Sequence, residues 1–193
     1  ITTYVRPDGT FVARRLESFA KQGAYASHGH SINAKAAGAF GQIYRSAACT
    51  VDAYTVFTNT PAAGAMRGYG IPQITFCIES HVEDIARGLN MDSLVLRRKN
   101  MMEVGYKDGF SKNENYFDSF NQCIEKGMKY IDYERKLKEF ANDKGPVRRG
   151  IGMAVFWYNT AVWPISLESS SCRMVLNQDG SVQLQLAETE IGQ

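Results

Sequence analysis

The sequence predicts an α+β fold in which strands and helices fall in separate blocks. Two stretches of period-two alternation, residues 1–23 and 49–60, precede a helical block that follows Pro72 at near 3.6-residue spacing, and alternation resumes beyond Gly150. Strand regions followed by segregated helices are the mark of that class.

Each element has a local reason. In residues 1–23, Asp8-Gly9 supplies a tight turn while Phe11, Ala13, Leu16 and Phe19 stand among polar residues, which predicts a hairpin. Residues 31–44 are rich in Ala and Gly and predict a close-packed helix, although Gly38 and Gly41 each cost ~1 kcal/mol against Ala. Residues 49–60 predict a half-buried strand, with Val51, Ala53, Thr55 and Phe57 on one face and Asp52, Tyr54 and Val56 on the other. Pro72 is suited to a first helical turn, where its missing N–H costs nothing. Phe76, Ile78, Val82, Ile85, Ala86 and Leu89 then form an apolar stripe that Gly88 or Asn90 can end. A helix capped by Asp92 or Ser93 is expected through Met102, followed by two more over 116–129 and 133–142. Residues 143–150 hold Gly145, Pro146 and Gly150 and form the expected boundary, dividing the chain into 1–145 and 146–193. Strands are expected beyond it over 150–158, 169–176 and 182–189, with Asn177-Gln178-Asp179-Gly180 as the last turn.

Composition narrows the function classes. Among 193 residues, 44% are hydrophobic and 22% charged, with 17 Gly and 5 Pro, which excludes disordered, collagen-like and coiled-coil chains. A net charge of +2 is too small for the field of a nucleic-acid binder, so no nucleic-acid partner is expected. No apolar run reaches the roughly 18 residues of a membrane helix and no signal pattern opens the chain, so a cytoplasmic protein with no membrane partner is expected. The opening Ile1, within a strand-like phrase, suggests a processed or excised segment. Cys49, Cys77, Cys123 and Cys172 lie far apart without a C-x-x-C pair and are expected to be reduced.

The most unusual local feature is Gly64-Ala65-Met66-Arg67-Gly68-Tyr69-Gly70, three glycines around an Arg and a Tyr just before a helix start. Such a backbone can take positive φ, approach a ligand closely and aim N–H groups at an anion. The plainer alternative is a structural strand-to-helix turn. Other signals are weaker. Gly150-Ile151-Gly152 lacks the third glycine of a dinucleotide fingerprint and opens a strand, which argues against nicotinamide binding. His28 and His30 form an H-x-H pair that needs a third ligand before it can hold a metal, and His81 reads as a helix residue with a local hydrogen bond. Glu188 and Glu190 carry no acid/base pairing, and Met101, Met102, Trp157, Tyr158 and Trp163 form either an apolar pocket or core. Hydrolase and triphosphatase motifs are missing.

Taken together, Thr58-Asn59-Thr60-Pro61, the run from Gly64 to Gln73, Glu79, Asp84-Ile85-Ala86 and Arg97-Arg98-Lys99-Asn100 resemble the large molybdenum-binding subunit of the xanthine dehydrogenase and aldehyde oxidase family. Gln22-Gly23-Ala24-Tyr25 fits the same pattern, as does Asp179-Gly180 followed by Glu188 to Gln193, which looks like the approach to that family's Gly-Gln-Gly cofactor loop. The resemblance covers essentially the whole chain. It implies parts of two molybdopterin-binding subdomains, 1–145 completing the first and 146–193 opening the second.

The resemblance further implies an oxidoreductase of the EC 1.17 type that hydroxylates a purine, another N-heteroaromatic or an aldehyde carbon with water as oxygen source. Its cofactor is molybdenum on a molybdopterin, in the cytosine dinucleotide or a related form. Electrons pass to 2Fe-2S clusters and to FAD or another acceptor on other domains or subunits. By position, Met66, Arg67, Gly68 and Gln193 contact the cofactor, and Lys35, Tyr69 and Trp163 contact the substrate. Lys35 stands where purine-oxidising members carry Arg, which replaces a rigid fork with a flexible point charge. The catalytic base is expected downstream, so the isolated chain is expected to be inert. Two competing readings are a non-catalytic module that pairs with another polypeptide and a His28/His30 metal site.

Overall fold

The first strand pair closes on Asp8. Its carboxylate accepts from the Thr10 N–H and hydroxyl at 3.0 and 3.1 Å, and Gly9 takes the left-handed position at φ +87°. In this computed structural model, which describes residues 1–109, 112, 114–158, 169–187 and 192, the expected hairpin is β1 (Thr2–Val5) antiparallel to β2 (Phe11–Gly23). The other side of β2 pairs in parallel with β3 (Ala48–Phe57), from Ala13 opposite Ala48 to Gly23 opposite Phe57. Parallel neighbours need a crossover, and α1 (Gly29–Ala39) supplies it. The mixed class therefore stands, with the first helix serving as a βαβ connection outside the later helical block. α1 starts earlier and ends sooner than its composition suggests, because Phe40 and Tyr44 leave the helix to become fully buried core residues.

Three side chains fasten α1 to the sheet. Gln22 Oε1 accepts from the His30 N–H at 3.1 Å in the first turn. Asn33, in the middle, donates to Tyr54 O and Thr55 Oγ1 at 3.0 and 3.2 Å and accepts from the Ser18 hydroxyl at 2.7 Å. Arg14 donates to Phe40 O and Tyr44 O at 3.0 and 2.9 Å just past the helix C-terminus, its guanidinium 4.2 Å from the Phe40 ring centroid. Burial pushes Arg14 down to about 10, which leaves it cationic at neutral pH, where carbonyls and an aromatic face replace water.

The helical block follows the spacing of its apolar residues. α2 (Ile71–Gly88) buries Ile71, Ile74, Ile78, Val82 and Ala86, while Phe76, expected on the same stripe, is exposed because it stands only two positions from Ile78 and so falls on another face. Of the two expected caps for α3 (Ser93–Asn100), Asp92 is the one used, accepting from the Leu94 and Val95 N–H groups at 2.9 Å. α4 (Ser119–Ile131) and α5 (Tyr133–Phe140) meet at Asp132, which takes a left-handed turn at φ +53°.

One carboxylate ties several of these pieces together. Glu79, buried on α2, accepts from the Tyr44 hydroxyl at 2.6 Å, from Arg97 Nε at 2.8 Å and from the Val155 N–H at 2.9 Å. Arg97 also donates to Glu83 and to Ser93 O. Burial opposes the charge on Arg97, yet the Glu79 and Glu83 carboxylates outweigh it and hold the guanidinium more basic than usual. One turn later Asn100 donates to Gly9 O and Leu96 O at 2.9 Å and accepts from the Phe11 N–H at 2.8 Å, locking α3 onto the β1–β2 turn. Two residues of the Arg97 to Asn100 motif are thus buried structural clamps.

The strand expected over 150–158 is not formed. Residues 150–158 have no ladder, because the Val155 N–H goes to Glu79 and Ile151, Met153, Val155 and Trp157 pack on the core. The chain divides into two compact units, Ile1–Trp157 and Tyr158–Gln193. In the second, β4 (Cys172–Leu176) pairs antiparallel with β5 (Val182–Leu186) around a turn in which Gly180 has φ +82°. The register sets Leu176 opposite Val182, Met174 opposite Leu184 and Cys172 opposite Leu186, and all six are exposed. The four cysteines are free thiols. Among the described residues no helix is long and apolar enough to cross a membrane.

Replacing Arg97 by Met strands the Glu79 charge and is expected to cost about 3–5 kcal/mol in chemical denaturation. Adding Glu79→Leu to that variant is expected to recover part of the loss, since no buried charge is then left unpaired.

Candidate functional site

The parallel strands β2 and β3 end on the same side of the sheet, and each leads there into a helix N-terminus. In open α/β sheets this edge is where ligands bind. Two loops occupy it, residues 24–28 before α1 and 58–70 before α2. They are stitched together by Ala24 N–H to Thr60 O, Thr58 N–H to Gly23 O and Ala63 N–H to Gln22 O, at 3.0, 3.0 and 2.7 Å. The stitch demands Gly23, which has φ +87° and where a Cβ would lie 2.2 Å from Pro61 O. This gives the Gln22-Gly23-Ala24 phrase and the Thr58 to Pro61 phrase one shared physical task. Sequence reasoning left that task unnamed; its only signal was an isolated glycine at the end of an alternating stretch.

The 64–70 run contains three consecutive left-handed residues, Gly68 at φ +99°, Tyr69 at +47° and Gly70 at +92°. Two glycines allow this at little cost, whereas Tyr69 pays a conformational penalty of order 1 kcal/mol or more. The turn is closed by Tyr69 N–H to Met66 O and Ile71 N–H to Gly68 O, both 2.9 Å. Gly70 presses on α1, where a Cβ would come within 2.6 Å of Ile32 O and 3.1 Å of Ala36 Cβ, and Pro72 crowds Gly68 in the same way. Residues 68 and 70 are therefore packed tight, while nothing lies within 4 Å of a Cβ on Gly64. Met66 and Arg67 are exposed and Tyr69 is half-buried, so the turn displays its large side chains.

The same contact brings α1 to the turn. Lys35 is half-buried on α1, next in sequence to the Ala36 that touches Gly70. His28, directly before α1, shares a 2.7 Å hydrogen bond between Nδ1 and the Tyr69 hydroxyl, the two rings edge to face with centroids 5.9 Å apart. Met66, Arg67, Gly68 and Tyr69 thus sit on one turn, against which α1 packs through Ile32 and Ala36. Gln193 and Trp163, the other two expected site residues, lie outside the described residues, as do Glu188 and Glu190.

A groove of about 630 Å³ runs from this turn along β2, lined by Gly64, Gly70 and Gln73 at one end and by Cys77, His81 and Asp84 of α2 further along. His81 Nε2 bonds Thr3 Oγ1 at 3.0 Å, a contact across 78 positions where a local one was expected. Met102 and Trp157 line a second cavity of about 210 Å³, while Met101 is core. His30 is a helix residue, and among the described residues no three His, Cys, Asp or Glu side chains gather to hold a metal.

The residues present fit a large polar group bearing anionic edges. Neither α1 nor α2 is closed by a side chain of its own N-cap residue, the edge is open beside Gly64, and Arg67 is exposed on the turn that leads into α2.

Family models of the molybdopterin cofactor-binding domain match residues 1–101 and 126–193. The chain is 38% identical to the xanthine dehydrogenase molybdenum-binding subunit of Escherichia coli O157:H7 over 98% of its own length and 25% of that protein. It is 32% identical to the nicotinate dehydrogenase large molybdopterin subunit of Eubacterium barkeri, over 66% of this chain and 31% of the relative. Among solved structures, the aldehyde oxidoreductase of Desulfovibrio desulfuricans superposes with a TM-score of 0.76 at 26% identity, covering 92% of this chain and 19% of that one. The chain thus spans about a quarter of the length of the xanthine dehydrogenase subunits it matches.

Gly70→Ala is expected to destabilise the protein by about 1–3 kcal/mol, from both the left-handed φ and the clash with Ile32 O. Gly64→Ala, with free space and no left-handed φ, is expected to leave the unfolding midpoint nearly unchanged. Parallel thermal melts of the two variants check this.

Proposed function

This chain belongs to the molybdopterin cofactor-binding domain family, and from that premise we propose that it is an internal piece of a xanthine dehydrogenase-like molybdenum hydroxylase. The observation that carries the reading is the left-handed Gly68-Tyr69-Gly70 turn, which displays Met66, Arg67 and Tyr69 where two helices begin. In this reading residues 1–145 complete one cofactor-binding subdomain and 146–193 open the next.

Arg67 and the backbone of Met66 and Gly68 bind the polar edge of the cofactor, with Gln193 as a further contact. Bound there, the molybdenum–pterin group, in its cytosine dinucleotide or another form, supplies a two-electron oxidation of a substrate carbon with oxygen drawn from water. Tyr69 packs on the face of a planar substrate, with Trp163 as a further wall. Lys35 places a single positive charge near a substrate oxygen. A lone ammonium orients less strictly than a guanidinium fork, so purines, nicotinate-like rings and aldehydes are all admitted as substrate classes. No side chain of this piece takes the role of catalytic base. The hydroxylation belongs to the longer subunit, with iron-sulfur and flavin domains or subunits taking the electrons, and the 193-residue piece alone is inert.

The test uses the full subunit purified anaerobically. Near-stoichiometric molybdenum and pterin are expected, Arg67→Ala is expected to lower both severalfold without unfolding the protein, and the isolated piece is expected to turn over none of hypoxanthine, nicotinate or benzaldehyde. A full subunit that carries neither molybdenum nor pterin overturns the reading.

A further inference from the structure

Tyr69 is the one residue without glycine's freedom in a left-handed run of three, and its ring is half-exposed on a turn closed by the backbone bonds Tyr69 N–H to Met66 O and Ile71 N–H to Gly68 O. Backbone bonds fix where the Cβ stands and leave χ1 and χ2 to be settled by side-chain contacts. A ring meant to lie flat against a planar ligand needs that orientation fixed before the ligand arrives, or each binding event bears the ordering cost. His28 is placed to do this. Its imidazole meets the Tyr69 ring edge to face at 86°, and Nδ1 lies 2.7 Å from the hydroxyl.

The backbone that carries the exposed His28 side chain is itself held in place. It immediately precedes α1, whose next residue Gly29 is buried, with a Cβ there lying 3.0 Å from Gln22 Cγ. The Gln22 side chain that crowds Gly29 also accepts from the His30 N–H. The imidazole is therefore carried on backbone bracketed by Gln22, and Gln22 belongs to the stitch between the two loops. Gln22, at the end of β2, thus holds the backbone at Gly29 and His30 that follows His28, and His28 Nδ1 meets the Tyr69 hydroxyl.

We propose that His28 is a positioning residue for the substrate-facing ring of Tyr69, and that the His28–Tyr69 hydrogen bond joins the loop before α1 to the loop before α2 as one wall of the substrate site. Whichever partner carries the shared proton, the Tyr69 hydroxyl is engaged and the ring face is what the site presents. The Tyr69 hydroxyl and His28 act as one unit, so losing either has the same consequence. This inference rests on the reading of the 66–69 turn as cofactor- and substrate-facing.

The experiment uses the full subunit with His28→Ala, Tyr69→Phe, both together, and His28→Asn, whose amide can reach the place of Nδ1. Kinetics are measured on whichever of hypoxanthine, nicotinate or benzaldehyde the unaltered enzyme oxidises, and crystal structures of the unaltered and His28→Ala proteins report the Tyr69 ring. His28→Ala is expected to raise KM about 2- to 10-fold, the range of a neutral hydrogen bond, with kcat little changed. Tyr69→Phe is expected to match it, the double variant to be no worse than either, and His28→Asn to restore most of the loss. The ring is expected to change rotamer in His28→Ala. Additive effects of the two substitutions, an unmoved KM, or a Tyr69 ring that keeps its place without His28 each overturn the proposal. Normal molybdenum and pterin content alongside such a result confines the failure to His28. If none of the probes is oxidised and no cofactor is found, the site reading has failed, and the crystal structures alone decide whether His28 positions Tyr69.

Discussion

The buried Glu79 carboxylate is the constraint on which the arrangement of the first unit depends. A carboxylate this far from water persists only if its lone pairs are taken by donors, and Glu79 has a hydroxyl, a guanidinium and a backbone N–H. Those donors come from three places in the chain, Tyr44 beyond α1, Arg97 on α3 and Val155 in the extended segment, and they converge on α2, which carries Glu79. Meeting the demand of one charge therefore fixes α2 relative to both the crossover and α3. The N-terminus of α2 is where the 64–70 turn attaches, so this distant charge sets the direction from which the turn meets α1.

The site is built by close approach. Gly23 lets the ends of β2 and β3 share hydrogen bonds, and Gly68 and Gly70 let the turn press on Pro72 and α1. Both loops are pinned by backbone hydrogen bonds, and Met66 and Arg67 are exposed on the second of them. The sheet edge, two helix starts and the exposed Arg67 of the 64–70 turn lie at the same end of the first unit.

Much of this was legible in the sequence where one local rule governs. The Asp8-Gly9 hairpin, the stripe from Ile78 to Ala86, the Asp92 cap and the Asn177 to Gly180 turn all follow from short-range spacing or turn chemistry, and they appear as expected. The failures share a cause. Residues 150–158 alternate like a strand, yet their N–H at Val155 is claimed by a carboxylate 76 positions away. Residues 31–44 read as one helix, yet core demand for Phe40 and Tyr44 ends it early. The 64–70 turn was recognisable from its glycines, and Met66, Arg67, Gly68 and Tyr69 lie together on it. The partnership of His28 with Tyr69 had no sequence signature, because only the stitched loops bring residues 41 positions apart within hydrogen-bond reach.

The central claim is that the Met66 to Tyr69 turn is a cofactor-facing surface. Anomalous diffraction at the molybdenum edge, on crystals of the complete subunit, tests it most directly. The account requires the metal peak beside that turn, at the shared end of β2 and β3. A peak elsewhere in the subunit, with Arg67 and Tyr69 enclosed by protein alone, contradicts it.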